Sequence, residues 1–335
     1  MIKIIVFAVI IVAASRTTAR PGEADVRSTT VIANAKKEGR MVFYTSVEAE
    51  FARILTTGFE AKYPFIKTEI FRSNHERIFS RLNTERKTGV FAADVLSVGE
   101  FETYHMKKRG LLAPYKSPEA AVYPEGFKDP DGYWTDFYDN LIVTAYNTTR
   151  VKKEELPKSY DDLLHPRWRG RMALDKNEDR WFANMLHIVG EKKGIALMQA
   201  LAKQEVAIRS GRSLITQLLA AGEFDLQIVA YWYRPHLLKK QGAPVDWIAL
   251  EPSLVALHPI SIIDHAPHQN AARLFIDYAL SQEGQKLFAS RGREPARPGI
   301  RPDGYPSHLK VIPSRVELAE QLANYTRRYE ELFVK

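Results

Sequence analysis

Residues 40–62 read RMVFYTSVEAEFARILTTGFEAK, and they decide the architecture. The first six form an apolar run with its charge at the start, the pattern of a buried strand. After the polar turn at Ser46–Glu48, Phe51, Ile54, Leu55 and Phe59 fall on one helical face, and Pro64 ends that helix. The unit then repeats. Residues 67–71 predict a strand, 75–88 a helix closed by Gly89, 93–97 a strand and 101–109 a helix closed by Gly110. Such alternation predicts an α/β fold with a mainly parallel sheet under helices, because parallel neighbours need a crossover connection.

Downstream, residues 114–130 are rich in Pro, Gly and Lys and read as a surface excursion, followed by a strand-like stretch at 133–147. A second series follows: residues 160–164, a strand at 171–174, helices at 179–189, 194–204 and 213–221, and a strand at 225–230. Residues 247–249 and 255–263 are extended, 270–280 and 283–290 helical, and 316–333 form a closing helix. A chain of 335 residues with two such series suits two lobes, by the prior of roughly 150 residues per domain.

Upstream, MIKIIVFAVIIVAA has a charged start at Lys3 and an apolar stretch from Ile4 to Ala14, too short to span a bilayer, followed by small residues. This is the layout of a secretory signal peptide, expected to cover residues 1–19, with cleavage after Ala19 or, alternatively, Ala14. It places the working protein in the periplasm. There is no cysteine, which excludes disulfides, thiolate metal sites and a lipid-modified cysteine. The net charge of +8 is dispersed among acids on helical faces, and no nucleic-acid-binding motif is present.

The order of MVFYTSVE (41–48), FAADVLSVGEFETYHMKKRGLLAPY (91–115), LIVTAYNTTRV (141–151), SYDDLLHPRWRGRMALD (159–175), QLLAAGEFDLQIVAYWY (217–233), KKQGAPVDW (239–247) and HAPHQNAARLFIDYALSQEGQKLF (265–288) resembles the extracellular solute-binding proteins of bacterial ABC importers. Within them it is most similar to the group containing the ferric-iron binding proteins. The resemblance implies the two-lobed type II periplasmic-binding-protein fold, each lobe a mainly parallel sheet flanked by helices, joined by crossing hinge segments. It sets lobe 1 at 38–141 with 257–298, lobe 2 at 146–250, and a C-terminal helix, 313–335, packing on lobe 2. It further implies a small ligand held between the lobes, no cofactor (ferric iron being a cargo), an importer's permease and ATPase as partners, and action as a monomer.

The loops after the strands are the candidate site, since ligands of such sheets bind at strand carboxyl ends. Ser213, as the N-cap of a helix opening at Arg209–Ser213, offers amide donors to an anion, and Arg212 adds a two-pronged hydrogen bond. Tyr231, Trp232 and Tyr233 follow a strand, so at least two of their rings are expected at the cleft mouth. The resemblance makes Arg212 the holder of a synergistic anion and assigns Glu48, Tyr231 and Tyr233 as metal donors. It also flags two departures: Trp232 replaces one of the adjacent tyrosines of ferric-binding proteins, and Gly99 stands where an acid is expected, with Glu100 beside it. Ser46 is read as an N-cap that can also reach ligand, and Ser73 as ligand-facing.

Asp179 and Arg180 are read as an exposed neighbouring charge pair, and His258, His265 and His268 as turn residues. His75–Glu76 has no second histidine four positions on, which removes a zinc-hydrolase reading. No nucleophile elbow, phosphate loop or dinucleotide fingerprint occurs. The expected cargo is ferric iron with an anion. The alternatives are a small organic anion, a cationic amine caged by Tyr231, Trp232 and Tyr233, and, from another class, a secreted two-lobe α/β enzyme.

Overall fold

The computed structural model describes residues 21–334, so the signal-peptide reading and both cleavage points lie outside the described residues. The chain enters through α1 (Pro21–Glu38) and continues with β1 (Arg40–Thr45), α2 (Ala49–Lys62), β2 (Lys67–Arg72), α3 (His75–Thr88), β3 (Val95–Ser97), α4 (Glu100–Lys108) and β4 (Leu112–Ala113). A mostly irregular excursion leads to the long β5 (Thr135–Asn147). The second series runs β6 (Met172–Asp175), α5 (Asp179–Val189), α6 (Glu191–Ala202), β7 (Ala207–Arg209), α7 (Arg212–Ala220), β8 (Leu226–Tyr231) and α8 (Tyr233–Lys240). The chain returns through β9 (Val245–Ile248), β10 (Ser253–Ile263), α9 (Gln269–Leu280), α10 (Gln282–Ala289), β11 (Glu294–Pro295), β12 (Val311–Pro313) and α11 (Leu322–Phe333). Among the described residues no helix is long and apolar enough to cross a membrane.

The strands pair in the order β2-β1-β3-β10-β5-β8-β6-β7. The flanks are parallel as expected: β1 lies between β2 and β3, and β6 between β7 and β8. The centre is antiparallel, because β5 and β10 run against each other and against the strands beside them. β5 is buried at every position and serves both flanks. Its first half pairs with β10 up to Leu141↔Val255, and its second half pairs with β8 and β9 from Ile142↔Tyr231 onward.

Each flank has its own apolar packing. Phe43, Phe59 and Phe275 meet with centroids 5.1 Å apart on one side, and Phe182 meets Tyr329 at 6.0 Å on the other, where α11 covers α5. Full burial of one such phenylalanine contributes roughly 1.5–3 kcal/mol. Two elements differ from expectation. The closing helix begins at Leu322, residues 316–321 being a 3-10 turn. Tyr231, Trp232 and Tyr233 do not form a loop after the strand: β8 runs through Tyr231 and α8 starts at Tyr233, tolerating Pro235 in its first turn, where the missing amide has no helical partner to lose.

Candidate functional site

The carboxyl ends of β1, β3, β6, β7 and β8 converge on a cleft of about 620 Å³. Because each strand feeds a helix, the cleft is also where helices begin. His75 opens α3, Glu100 opens α4, Asp179 and Arg180 open α5, Arg212 opens α7 and Tyr233 opens α8, and all of them line it. Five helix N-termini present amide donors and the positive ends of their dipoles to one volume.

Three arginines line the same volume. Arg212 is the first residue of α7, capped by Gly211 at φ 97°, a left-handed backbone that favours glycine. Ser213 therefore sits inside the helix rather than capping it, and borders a neighbouring cavity instead of this one. The Arg212 fork is already engaged: Nε and Nη2 donate to Glu178 at 2.5 and 2.7 Å, and the guanidinium lies 4.5 Å from the Tyr231 ring centroid. Glu178 is fully buried. Burial pushes its carboxyl up to about 7, with Arg212 pulling the other way.

Arg180 is not in an exposed pair with Asp179. It grips Glu102 of α4 through both terminal nitrogens, one at 3.0 Å, and so bridges the two strand–helix series. Burial raises the Glu102 carboxyl, but the charge and hydrogen bonds of Arg180 outweigh it and hold the group at about 2. Asp179 instead accepts from Thr326 at 2.6 Å. Gly99 leaves the room this pair needs: a Cβ there would stand 2.7 Å from Glu102 Oε2 and 3.0 Å from Arg180 Nη1. The neighbouring Glu100 is buried, raised by that burial, and accepts from Ser314 at 3.1 Å.

The third arginine is absent from the sequence expectations. Arg293 lies just before β11 with its side chain 3% exposed. Its guanidinium packs 4.1 Å from the Tyr233 centroid and 4.7 Å from that of Tyr138, and Nη2 donates to Asn140 at 3.2 Å. Nε and Nη1 have no hydrogen-bond partner among the described residues, and the nearest carboxylate, Glu48, is 3.7 Å away. No local pattern in the segment around 293 marks it. It reaches the cleft only because β11 pairs with β5.

His258 is another correction. It lies within β10 rather than in a turn, stacks on Tyr138 at 4.4 Å, and has Nε2 3.5 Å from Ser46 Oγ. Burial, reinforced by nearby positive charge, holds it well below the usual histidine range, so it is neutral. Ser46 lines the cleft but does not cap α2, whose N-cap is Glu48 without a side-chain capping bond. Glu48 lines the cleft beside Arg293. Ser73 is half-buried outside it, its amide bonded to Thr45.

Tyr231 and Tyr233 both line the cleft, and burial raises both phenols, opposed by Arg212 and Arg293 respectively. Trp232 is fully buried away from the cleft, stacked on His236 at 4.4 Å. This removes the amine cage: one of its three rings is absent, and guanidinium groups pack against the other two. Among the described residues no group of three or more His, Asp or Glu side chains is placed to hold a metal ion.

The profile of the family described as bacterial extracellular solute-binding protein matches residues 93–310. An uncharacterized protein of Haemophilus influenzae is 27% identical over 276 residues, covering 78% of this chain and 79% of that one. Among solved structures, the periplasmic binding protein AfuA of Actinobacillus pleuropneumoniae, with fructose-6-phosphate bound, superposes with a TM-score of 0.72 at 24% identity. That match covers 88% of this chain and 99% of the other. Iron-bound HitA of Pseudomonas aeruginosa superposes at 0.75 and 21% identity, covering 87% and 99%. These likenesses carry the fold, that of the type II periplasmic binding proteins.

Proposed function

The chain belongs to the bacterial extracellular solute-binding protein family, and from that premise we propose that its cargo is a small organic anion: a phosphate ester, a phosphonate or a carboxylate. It is the substrate-binding component of an ABC importer and not an enzyme. Its place is the periplasm, as a monomer delivering to the permease and ATPase of its importer. The two strand–helix series act as lobes that close on the ligand about β5 and the segment between β9 and β10.

The observation that carries the anionic reading is the convergence of Arg180, Arg212 and Arg293 on a cleft ringed by five helix N-termini. A charge-assisted hydrogen bond contributes about 1.5–3 kcal/mol. Two or three such bonds sum to about 3–9 kcal/mol, which reaches micromolar binding, about −8 kcal/mol, at its upper end. AfuA, of the same fold, holds a sugar phosphate.

Ferric iron with a synergistic anion is the second reading, favoured by the presence of Glu48, Tyr231 and Tyr233 in the same cleft and by HitA, which holds iron. Against it, both phenols are raised, and an arginine packs on each ring. Calorimetry with fructose 6-phosphate, a phosphonate and a dicarboxylate, beside visible spectra with ferric citrate, separates the two. Saturable binding of one of the anions without a tyrosinate–iron band is expected. A band appearing with ferric citrate, and no heat with any of the three anions, overturns the anionic reading.

A further inference from the structure

The cleft does not end at Arg293. That guanidinium and the Tyr233 ring form a partition, and beyond it lies a second cavity of about 690 Å³ that shares Glu48, Tyr233 and Arg293 with the first. Its far wall is α8, from Arg234 near its start to Lys240 at its end, and the turn at 289–293, which adds Arg291, while Glu50 and Asp303 border it. Lys240 is taken by Asp303 at 2.9 Å. Arg234 keeps a buried Nε without a hydrogen-bond partner, and Arg291 makes no ion pair among the described residues. Arg293 borders both cavities with Nη2 committed to Asn140 and with Nε and Nη1 unpartnered.

We propose that the two cavities are compartments of one ligand site, and that the second seats a second acidic group of the same molecule. The cargo is then an extended solute acidic at both ends, diphosphorylated or phosphorylated and carboxylated. This rests on the anionic reading of the first compartment. The physical reason is charge separation. Two dianionic groups crowded into one compartment repel, whereas one on each side of a buried guanidinium are both attracted to it and lie apart from each other. Glu48, at the partition, faces the connecting part of the solute. A carboxylate there suits hydroxyl donors and repels a third acidic group.

The test compares fructose 6-phosphate with fructose 1,6-bisphosphate by calorimetry on the whole protein, then repeats both titrations on Arg291→Ala, a surface change that leaves the fold unburdened. The bisphosphate is expected to bind at least tenfold more tightly than the monophosphate, with that ratio falling toward one in the variant. A bisphosphate that binds no more tightly than the monophosphate, or a ratio unchanged in Arg291→Ala, overturns the two-compartment site while leaving the anionic reading standing. If neither sugar phosphate binds and a ferric band appears instead, both fall together.

Discussion

The two walls of the cleft hold their arginines in opposite electrostatic states. On the wall built by β6, β7 and β8, Arg212 is bonded through two nitrogens to the fully buried Glu178, and Arg180, which opens α5, is likewise paired with Glu102 across the cleft. On the wall built with β5 and β11, Arg293 is almost entirely buried, donates only to a neutral amide oxygen, and stands 3.7 Å from its nearest carboxylate. A paired guanidinium shapes and orients, since its charge is already balanced. A desolvated one that keeps two nitrogens without hydrogen bonds, its ion-pair partner Glu48 held off at 3.7 Å, attracts, and in the absence of ligand it is a cost to the fold. The comparison assigns anchoring to Arg293 and framing to Arg212 and Arg180.

The largest effect that can break this division is Arg293→Met, which keeps the packing against Tyr233 and Tyr138 and deletes the charge. Anion affinity should fall about ten- to hundredfold, from the loss of roughly 1.5–3 kcal/mol, while the melting temperature of the free protein does not fall. Calorimetry and thermal denaturation on one preparation read both. A stability loss with unchanged affinity would reverse the roles assigned to the two walls.

Arg212→Ala should behave the other way. It leaves the Glu178 carboxyl buried without its partner, so stability should drop by about 1–3 kcal/mol, the penalty for orphaning a buried charge discounted because the Arg212 side chain is 29% exposed. The double variant Arg212→Ala/Glu178→Ala should recover part of that loss in urea denaturation. No recovery would mean that Arg212 acts through packing alone.

The smallest effect sharpens the comparison through pH. With Glu178 near 7, acidification from pH 8 to 6 removes the negative partner of Arg212 and makes the cleft more positive. A sulfate ester, whose charge is constant over that range, should bind several-fold more tightly at pH 6, and Glu178→Gln should flatten the profile. The stability sign follows from the same shift. A carboxyl raised above its unfolded value of 4.5 contributes stability that is complete below pH 4.5 and lost as the pH rises through about 7. A profile that is flat in the native protein would show that Glu178 does not control Arg212.

Much of the fold and part of the site are legible in the residue order alone. The alternation of runs such as 40–45 and 49–62 reflects local periodicity, and it locates the strand ends whose loops line the cleft. Arg212, Tyr231 and Tyr233 are reachable because they closely follow strands. Ser213 lies two residues past the actual cap, since the positive φ of Gly211, and not a side-chain cap, starts that helix. Ser73 falls outside the cleft because a loop at a strand end need not turn inward. β2 is the outermost strand of its flank, and from the connection after it only the start of α3, at His75 and Glu76, lines the cleft. The α8 helix is hidden by Pro235 and a polar sequence with no apolar stripe.

The sequence by itself determined the class of fold, through strand and helix periodicities set by local geometry, and with it the general position of the site at the strand ends. Only the tertiary structure decided which charges there are spent and which are free to act. Arg180 and Glu102 are 78 residues apart and Arg293 and Asn140 are 153 apart, yet each pairing controls the electrostatics of the cleft. Desolvation and hydrogen-bond pairing are properties of the volume around a group, and that volume is assembled by β5 crossing between two flanks, a contact no stretch of neighbouring residues encodes.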